Sequence, residues 1–353
     1  MSVLLPLRSL TSGHWFKLIC GASYQSLPDV RNLVLAYTLA GADCIDVAAD
    51  LAVVAAAKEG ILAARRAFER SPQSFPCPRY VQPLLMVSMS AGKDPHFRKA
   101  WFDPARCPSD CSRPCEQVCP AAAIDGTGVV SHRCYGCGRC LPICPLGLIE
   151  EKAKPTRLDA IAQSVLTQVD ALEIHTQVGQ LHAFKQLWET IYPWIGHLRL
   201  ISISCPDGDG LIAYLRALQH LMGFSGKRSE PTLIWQTDGR PMSGDIGKGT
   251  THQTVRLAQK VLAAHLPGHV QLAGGTNKYT VLKLRELRLL RQSNSGSTGA
   301  LAVSGIAYGS YARRLLMSVI GQNHYLEEVP QALLEAVVLA NSLVMPLKQA
   351  VKS

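Results

Sequence analysis

Residues 107–145 read CPSDCSRPCEQVCPAAAIDGTGVVSHRCYGCGRCLPICP and hold eight of the chain's twelve cysteines. Cys134, Cys137, Cys140 and Cys144, followed by Pro145, make the C-x2-C-x2-C-x3-C-P run that cradles a [4Fe–4S] cluster. The half before it, Cys107, Cys111, Cys115, Cys119 and Pro120, repeats that pattern with one extra residue in each of the first two gaps. Cys119 to Cys144 and Cys115 to Cys140 are offsets of 25 residues, Cys111 to Cys137 is 26, and Cys107 to Cys134 is 27. The stretch is a duplicated ferredoxin unit whose first copy has longer early loops. In such units three closely spaced thiolates wrap one cluster, and the fourth, before proline, ligates the other. The rule predicts one [4Fe–4S] cluster on Cys134, Cys137 and Cys140 with Cys119, and a second on Cys107, Cys111 and Cys115 with Cys144. The longer gaps of the first motif leave [4Fe–4S] and [3Fe–4S] both open for that second centre. A zinc ribbon has no use for the proline or the duplication. The C-x3-C-x2-C spacing of radical enzymes is not met. Residues 123–130 read as a tight hairpin carrying the two copies apart.

Outside this region the chain alternates strand and helix patterns. Strands are expected over 16–20, 44–48, 84–89, 172–175, 198–203, 232–236, 270–273 and 300–304. Helices are expected over 28–40, from Asp50 as N-cap to Arg70, and over 178–192, 211–222 and 253–264. Eight such units count to a (β/α)8 barrel, with a doubly wound open sheet as the alternative. The expected organisation is a first barrel part over 1–102, a ferredoxin-like insertion over 103–150 with Asp103 and Glu150 near its junctions, and the rest of the barrel over 151–353. Residues 327–349 read as an extra helix outside the barrel. Residues 293–298 (SNSGST) are a short polar loop.

Composition bounds the function. Apolar residues are 47% and charged residues 18%, an ordinary globular balance. The cysteine spacing argues for metal rather than disulfides, hence a reducing, intracellular compartment. Cys20, Cys44, Cys77 and Cys205 are scattered and read as buried single thiols. The formal charge of +10 counts cysteines as neutral; two oxidised clusters at about −2 each would bring it to about +6. Lys and Arg are dispersed, so nucleic-acid binding is not expected. The start of the chain has polar breaks at Arg8, His14 and Lys17, unlike a secretory signal. The most apolar window, 33–57, contains Asp43, Asp46 and Asp50, which argues against a transmembrane span. Peripheral membrane contact stays open.

The turns after the seventh and eighth strands, with Gly274, Gly275, Gly305 and Gly309 and with Arg313 one turn on, have the composition of a barrel phosphate or flavin site. The plainer reading is that these glycines close tight loops. Asp46, His175, Asp207 and Asp238 fall near strand ends and are candidate acid/base groups, although caps and loop carboxylates more often occupy such places. The loop with Gly239, Gly244, Gly247, Lys248 and Gly249 matches neither the P-loop nor the dinucleotide fingerprint.

Taken with LICGASYQSLPDVRNLVLAYTLAGADCIDVAAD and QLAGGTNKYTVLKLRELRLL, the two cysteine motifs resemble the light-dependent period family of cyanobacteria. The resemblance spans nearly the whole chain. It implies an iron–sulfur redox sensor on the input side of the circadian clock, reporting electron-transport or quinone-pool state. It further implies association with the clock's input kinase and core clock proteins, in the cytoplasm or peripherally at the thylakoid membrane. The reading is of an electron-carrying regulatory protein rather than an enzyme. The alternative is a flavin-dependent iron–sulfur oxidoreductase with FMN at Gly274, Gly275 and Gly305.

Overall fold

The structure is a computed structural model. It describes residues 6–22, 24–92, 98–119, 121–134, 136, 138–153, 158–224, 230–239, 251–291 and 301–349. Along the chain come α1 (Pro6–Thr11), β1 (Trp15–Ile19), α2 (Leu27–Leu39), β2 (Cys44–Ala48), α3 (Leu51–Arg70) and β3 (Leu84–Ser90). The cysteine region follows with β4 (Arg98–Trp101), α4 (Pro114–Val118), β5 (Ile124–Asp125), β6 (Gly128–Val129) and β7 (Glu150–Ala153). The alternation then resumes with α5 (Leu158–Leu166), β8 (Ala171–His175), α6 (Leu181–Ile191), β9 (Leu200–Pro206), α7 (Leu211–Met222), β10 (Thr232–Asp238) and α8 (Thr251–Leu262). It closes with β11 (His269–Ala273), α9 (Thr280–Glu286), β12 (Gly305–Tyr308), α10 (Ser310–Ile320) and α11 (Pro330–Lys348).

Eight of these strands pair in parallel in the cyclic order β1-β12-β11-β10-β9-β8-β3-β2, which is a closed (β/α)8 barrel and not an open sheet. The expected strands lie within a few residues of the observed ones, except the eighth. It occupies Gly305–Tyr308 rather than 300–304. The reason is steric. A Cβ on Gly305 would stand 2.2 Å from the Trp15 carbonyl oxygen, so glycine is what lets β12 reach β1 and close the barrel. A glycine that reads as a strand stop is here a condition of closure. The 293–298 loop lies outside the described residues.

The barrel is filled according to the period-2 alternation of its strands. Phe16 points outward and stacks on Tyr308 and Tyr37, with ring centroids 5.0 and 5.9 Å apart. Trp15 and Lys17 point inward. At the N-terminal end Leu10 of α1, Trp15, Cys44, Leu84, Met86, Ala171, Leu200 and Ile234 form an apolar floor. Above it the interior is polar. Lys17 is fully buried and ion-paired to Glu173, with Asp46 at 3.6 Å. Glu173 also accepts from Ser202 Oγ at 2.9 Å and Gln236 Nε2 at 2.7 Å, and stands 3.0 Å from His175 Nε2. Gln271 continues the chain, donating to Gln236 Oε1 and accepting from Trp15 Nε1.

On the outside, Asp50 caps α3 by accepting from Ala52 N and Val53 N. The apolar window 33–57 is divided among α2, β2 and α3 rather than forming one helix. Among the described residues one helix, α11, is long and apolar enough to cross a membrane. It packs against α10, α2 and β1, and Lys348 at its end pairs with the buried Asp43.

Burial pushes the Asp46 carboxyl up to about 6, the nearby Glu173 carboxylate adding to the effect despite Lys17. Burial also acts on Glu173, but Lys17 and His175 outweigh it and hold that carboxyl at about 2. Glu173 is thus the ionised partner of Lys17, and Asp46 the group that holds a proton in mildly acid solution. A carboxyl whose folded value is raised contributes stability below the ordinary carboxylate range and loses it as pH rises through about 6. Glu173→Gln is expected to cost about 3–5 kcal/mol, because it removes the ionised partner of a buried ammonium and leaves it only the more distant Asp46 at 3.6 Å. Asp46→Asn at pH 5 is expected to cost less than about 1 kcal/mol and to flatten the fall in stability between pH 4 and pH 6. Urea denaturation at a series of pH values measures both.

Candidate metal centre

The cysteine region leaves the barrel after β3 and returns before α5. Its stem is an antiparallel ribbon in which Arg98 faces Ala153 and Trp101 faces Glu150. Within it, β5 and β6 form the small hairpin expected over 123–130. The interior of the insertion mixes cysteines with a few apolar side chains. Phe102, Ile124 and Ile149 pack with Cys115 and Cys140, while Ala121 and Ala123 pack with Cys134.

Two cavities carry the cysteines. One, the inner cavity, is lined by Cys119, Cys134 and Cys140 together with Gly136, Lys99 and Arg139; Cys137 lies outside the described residues. The other, the outer cavity, is lined by Cys107, Cys111, Cys115 and Cys144, beside Phe102 and Leu148. Each half of the duplicated sequence sends its fourth cysteine to the cavity that the other half's first three would form. Among the described residues no three His, Cys, Asp or Glu side chains are arranged to hold a single metal ion; the thiols ring cavities instead.

The duplication is visible in the backbone as well as in the spacing. The N–H of Ala123 donates to Cys119 Sγ at 3.3 Å, and 25 residues later the N–H of Leu148 donates to Cys144 Sγ at 3.4 Å. Ala122 and Gly147 share a left-handed conformation, with φ of 45° and 60°. So do Arg113 and Gly138, with φ of 50° and 70°. The Ala122 and Gly147 turns are the ones that aim the Ala123 and Leu148 donors at sulfur. Desolvation raises the Cys144 thiol, but the N–H groups of Leu148, Leu146, Ile149 and Gly147 outweigh it and hold the group below its ordinary value. Cys107 and Cys115 are raised by desolvation first and then, among other groups, by neighbouring thiols. Four thiolates around one cavity repel each other unless cations lie between them, and iron in a sulfide cluster supplies that charge. Donor type, ringed geometry and N–H···S contacts therefore fit an iron–sulfur group, which these cysteines would hold and which would supply one-electron chemistry.

The remaining cysteines read as expected. Cys20, Cys44 and Cys205 are buried, and Cys77 is partly buried. Burial pushes the Cys20 and Cys205 thiols up to about 12, which makes them inert.

The barrel-mouth candidates divide. Gly274 and Gly275 close the turn after β11 with φ of 65° and 85°, and Gly309 follows β12. Gly305, at the start of β12, lies at the opposite end of the barrel, so the expected set of four does not form one site. Arg313 turns to the loop after β1, donating to the carbonyls of Ile19 and Cys20 and to Ser310 Oγ. Asp46 and His175 do come together, through the Lys17–Glu173 pair. Asp207 is an exposed loop carboxylate paired with Lys260 at 2.6 Å. Asp238 is buried at the end of β10. Lys17 and Glu173 are missed by the sequence reading. Their signal is a single charge at an inward position of an otherwise apolar strand, WFKLI and ALEIH. Gly244, Gly247, Lys248 and Gly249 lie outside the described residues.

Fold and site together define a (β/α)8 barrel carrying an inserted iron–sulfur-binding unit. Residues 107–155 match the LdpA Fe-S cluster-binding domain, and residues 165–346 match the Light dependent period A C-terminal domain. The protein named Light dependent period A from Synechococcus elongatus is 54% identical over 99% of this chain and 96% of its own length. The chain belongs to the Light dependent period A family. Two solved structures that match are far more distant. Tryptophan synthase of Mycobacterium tuberculosis is 10% identical, with a TM-score of 0.41 and coverage of 96% of each chain. Thiamine phosphate pyrophosphorylase of Pyrococcus furiosus is 13% identical, with a TM-score of 0.35 and coverage of 95% of this chain and 98% of that one. The barrel assignment rests on the strand pairing itself.

Ala122 is exposed, and its counterpart in the matching turn is a glycine, Gly147. A left-handed alanine costs roughly 1–2 kcal/mol, partly recovered in the unfolded chain. Ala122→Gly is expected to stabilise the protein by about 0.5–1 kcal/mol, read as a raised Tm in thermal denaturation of protein with its iron intact.

Proposed function

We propose that the chain is a two-cluster iron–sulfur protein that reports cellular electron supply to a timing system through protein partners. The observation that carries this reading is the pair of cavities with exchanged fourth cysteines. On it, Cys119, Cys134, Cys137 and Cys140 hold an inner [4Fe–4S] cluster. Cys107, Cys111, Cys115 and Cys144 hold an outer cluster of the [4Fe–4S] or [3Fe–4S] type. The name of the Synechococcus relative, light dependent period, supports the link to timing. The family resemblance supports the clock's input kinase and core proteins as partners, with quinone or electron-transport components as the electron source. It supports a cytoplasmic setting with peripheral contact at the thylakoid membrane.

The chemistry of the chain's own residues agrees with a carrier of charge. The cavities are lined by thiols, with the basic side chains of Lys99 and Arg139 beside the inner one. Gaining one electron changes the charge at a partly buried site by one unit. That is enough to bias a neighbouring loop or interface by on the order of a kcal/mol.

Anaerobic purification with iron and sulfide counting is expected to give about eight of each per chain for two [4Fe–4S] clusters. Cys119→Ser and Cys144→Ser are each expected to lose one EPR-active centre and keep the other, because each removes a ligand from the cavity opposite its own motif. Loss of both centres together, or of neither, in both variants overturns the assignment. Cys140→Ser is expected to abolish the redox response of partner binding in co-purification under oxidising and reducing conditions.

A further inference from the structure

The insertion is tied to the barrel at a point next to the inner cavity. Lys99, on β4, lines that cavity with Cys119, Cys134 and Cys140. It is buried, and its ammonium donates to Ser131 O at 2.6 Å and to Gln25 Oε1 at 2.9 Å. Gln25 lies in the loop after β1, at the C-terminal mouth of the barrel. Its backbone N–H donates to His132 O at 3.0 Å, and Ser131 and His132 lead directly into Cys134. Its side-chain amide donates to Asp50 Oδ2 at 2.9 Å. The other oxygen of Asp50 caps α3, accepting from Ala52 N at 2.9 Å and Val53 N at 3.3 Å. A continuous chain of hydrogen bonds thus runs from the wall of the inner cavity through Lys99, Gln25 and Asp50 to the first turn of a 20-residue barrel helix.

We propose that Lys99 and Gln25 read the charge of the group held in the inner cavity and pass it to the N-terminus of α3. The proposal rests on the reading that this cavity holds a cluster. With four thiolates an oxidised [4Fe–4S] unit carries about −2; one electron from a one-electron donor makes it about −3, with no covalent bond made or broken. The added negative charge draws the Lys99 ammonium toward the cavity and away from the Gln25 carbonyl. Gln25 then loses the contact that fixes its amide on Asp50, and the α3 cap loosens. In the same way Lys99 favours the reduced state, because a buried cation beside the cluster stabilises the extra electron. The redox state of the inner centre is thereby expressed on the barrel surface at the β1–α2 loop and the start of α3, 81 residues before Cys134 in the chain at Val53.

The test uses the full chain with its iron counted. EPR-monitored redox titration compares wild type with Lys99→Gln, and amide hydrogen exchange at Ala52 and Val53 compares oxidised with dithionite-reduced protein. Lys99→Gln is expected to lower the midpoint potential of the inner centre and leave that of the outer centre in place. In wild type, Ala52 and Val53 are expected to exchange severalfold faster when reduced. In Gln25→Ala this redox difference is expected to vanish with the iron content retained. An unchanged inner potential in Lys99→Gln, redox-independent exchange in wild type, or a redox difference that survives in Gln25→Ala overturns the relay alone. Should Lys99→Gln lose its iron, Gln25→Ala decides, since Gln25 does not line the cavity. An inner cavity without iron in wild type overturns the cluster assignment and the relay with it.

Discussion

The exchange of fourth cysteines is the constraint on which the insertion depends. Cys119 leaves its own half to join Cys134 and Cys140, and Cys144 returns to Cys107, Cys111 and Cys115. Neither half completes a cavity alone. The insertion also has little else to fold around: its buried apolar residues are few, and several of them pack on sulfur. A unit of this size gains much of its stability from what its thiols bind. Backbone geometry serves the same end, since Arg113, Ala122, Gly138 and Gly147 hold left-handed turns at matching places in the two copies.

The barrel supplies a rigid base with the opposite character. Its strands bury a connected polar layer over an apolar floor, centred on the Lys17–Glu173 pair. Such a pair is weak evidence for net stability, because desolvation offsets much of the attraction. What it does is tie β1 to β2 and β8, the two strands that flank β3, after which the insertion leaves the barrel. Gln25 is in the loop after β1, and its bonds to Lys99, His132 and Asp50 join the barrel to the insertion.

The two cysteine halves also differ in setting. Spacing alone makes the first half, with its longer gaps, look like the place for an unusual centre. In the tertiary structure the cavity built chiefly from the regular second half is bonded to the barrel through Lys99 and Gln25, while that of Cys107, Cys111, Cys115 and Cys144 is lined by insertion residues including exposed Pro145 and Leu146.

Much of this is legible in the amino-acid sequence. Cysteine spacing is set by the reach of thiolates around a cluster, so the motif, its duplication and the exchanged pairing can be read locally. Seven of the eight barrel strands are legible for a similar reason: buried parallel strands are short apolar runs between helices. The eighth was displaced because Gly305 is a contact requirement of barrel closure, not a local turn. The Lys17–Glu173–Asp46–His175 layer was hidden because its members lie on three strands, and only the closed barrel brings them within hydrogen-bonding distance. Gln25 carries no local signal at all. Its role comes from three partners far apart in sequence, at Lys99, His132 and Asp50. The sequence by itself determined which atoms can bind iron and which segments become strands, because both follow from short-range spacing. Only the tertiary structure decided which cavity touches the barrel and through which side chains, because long-range packing alone sets those distances.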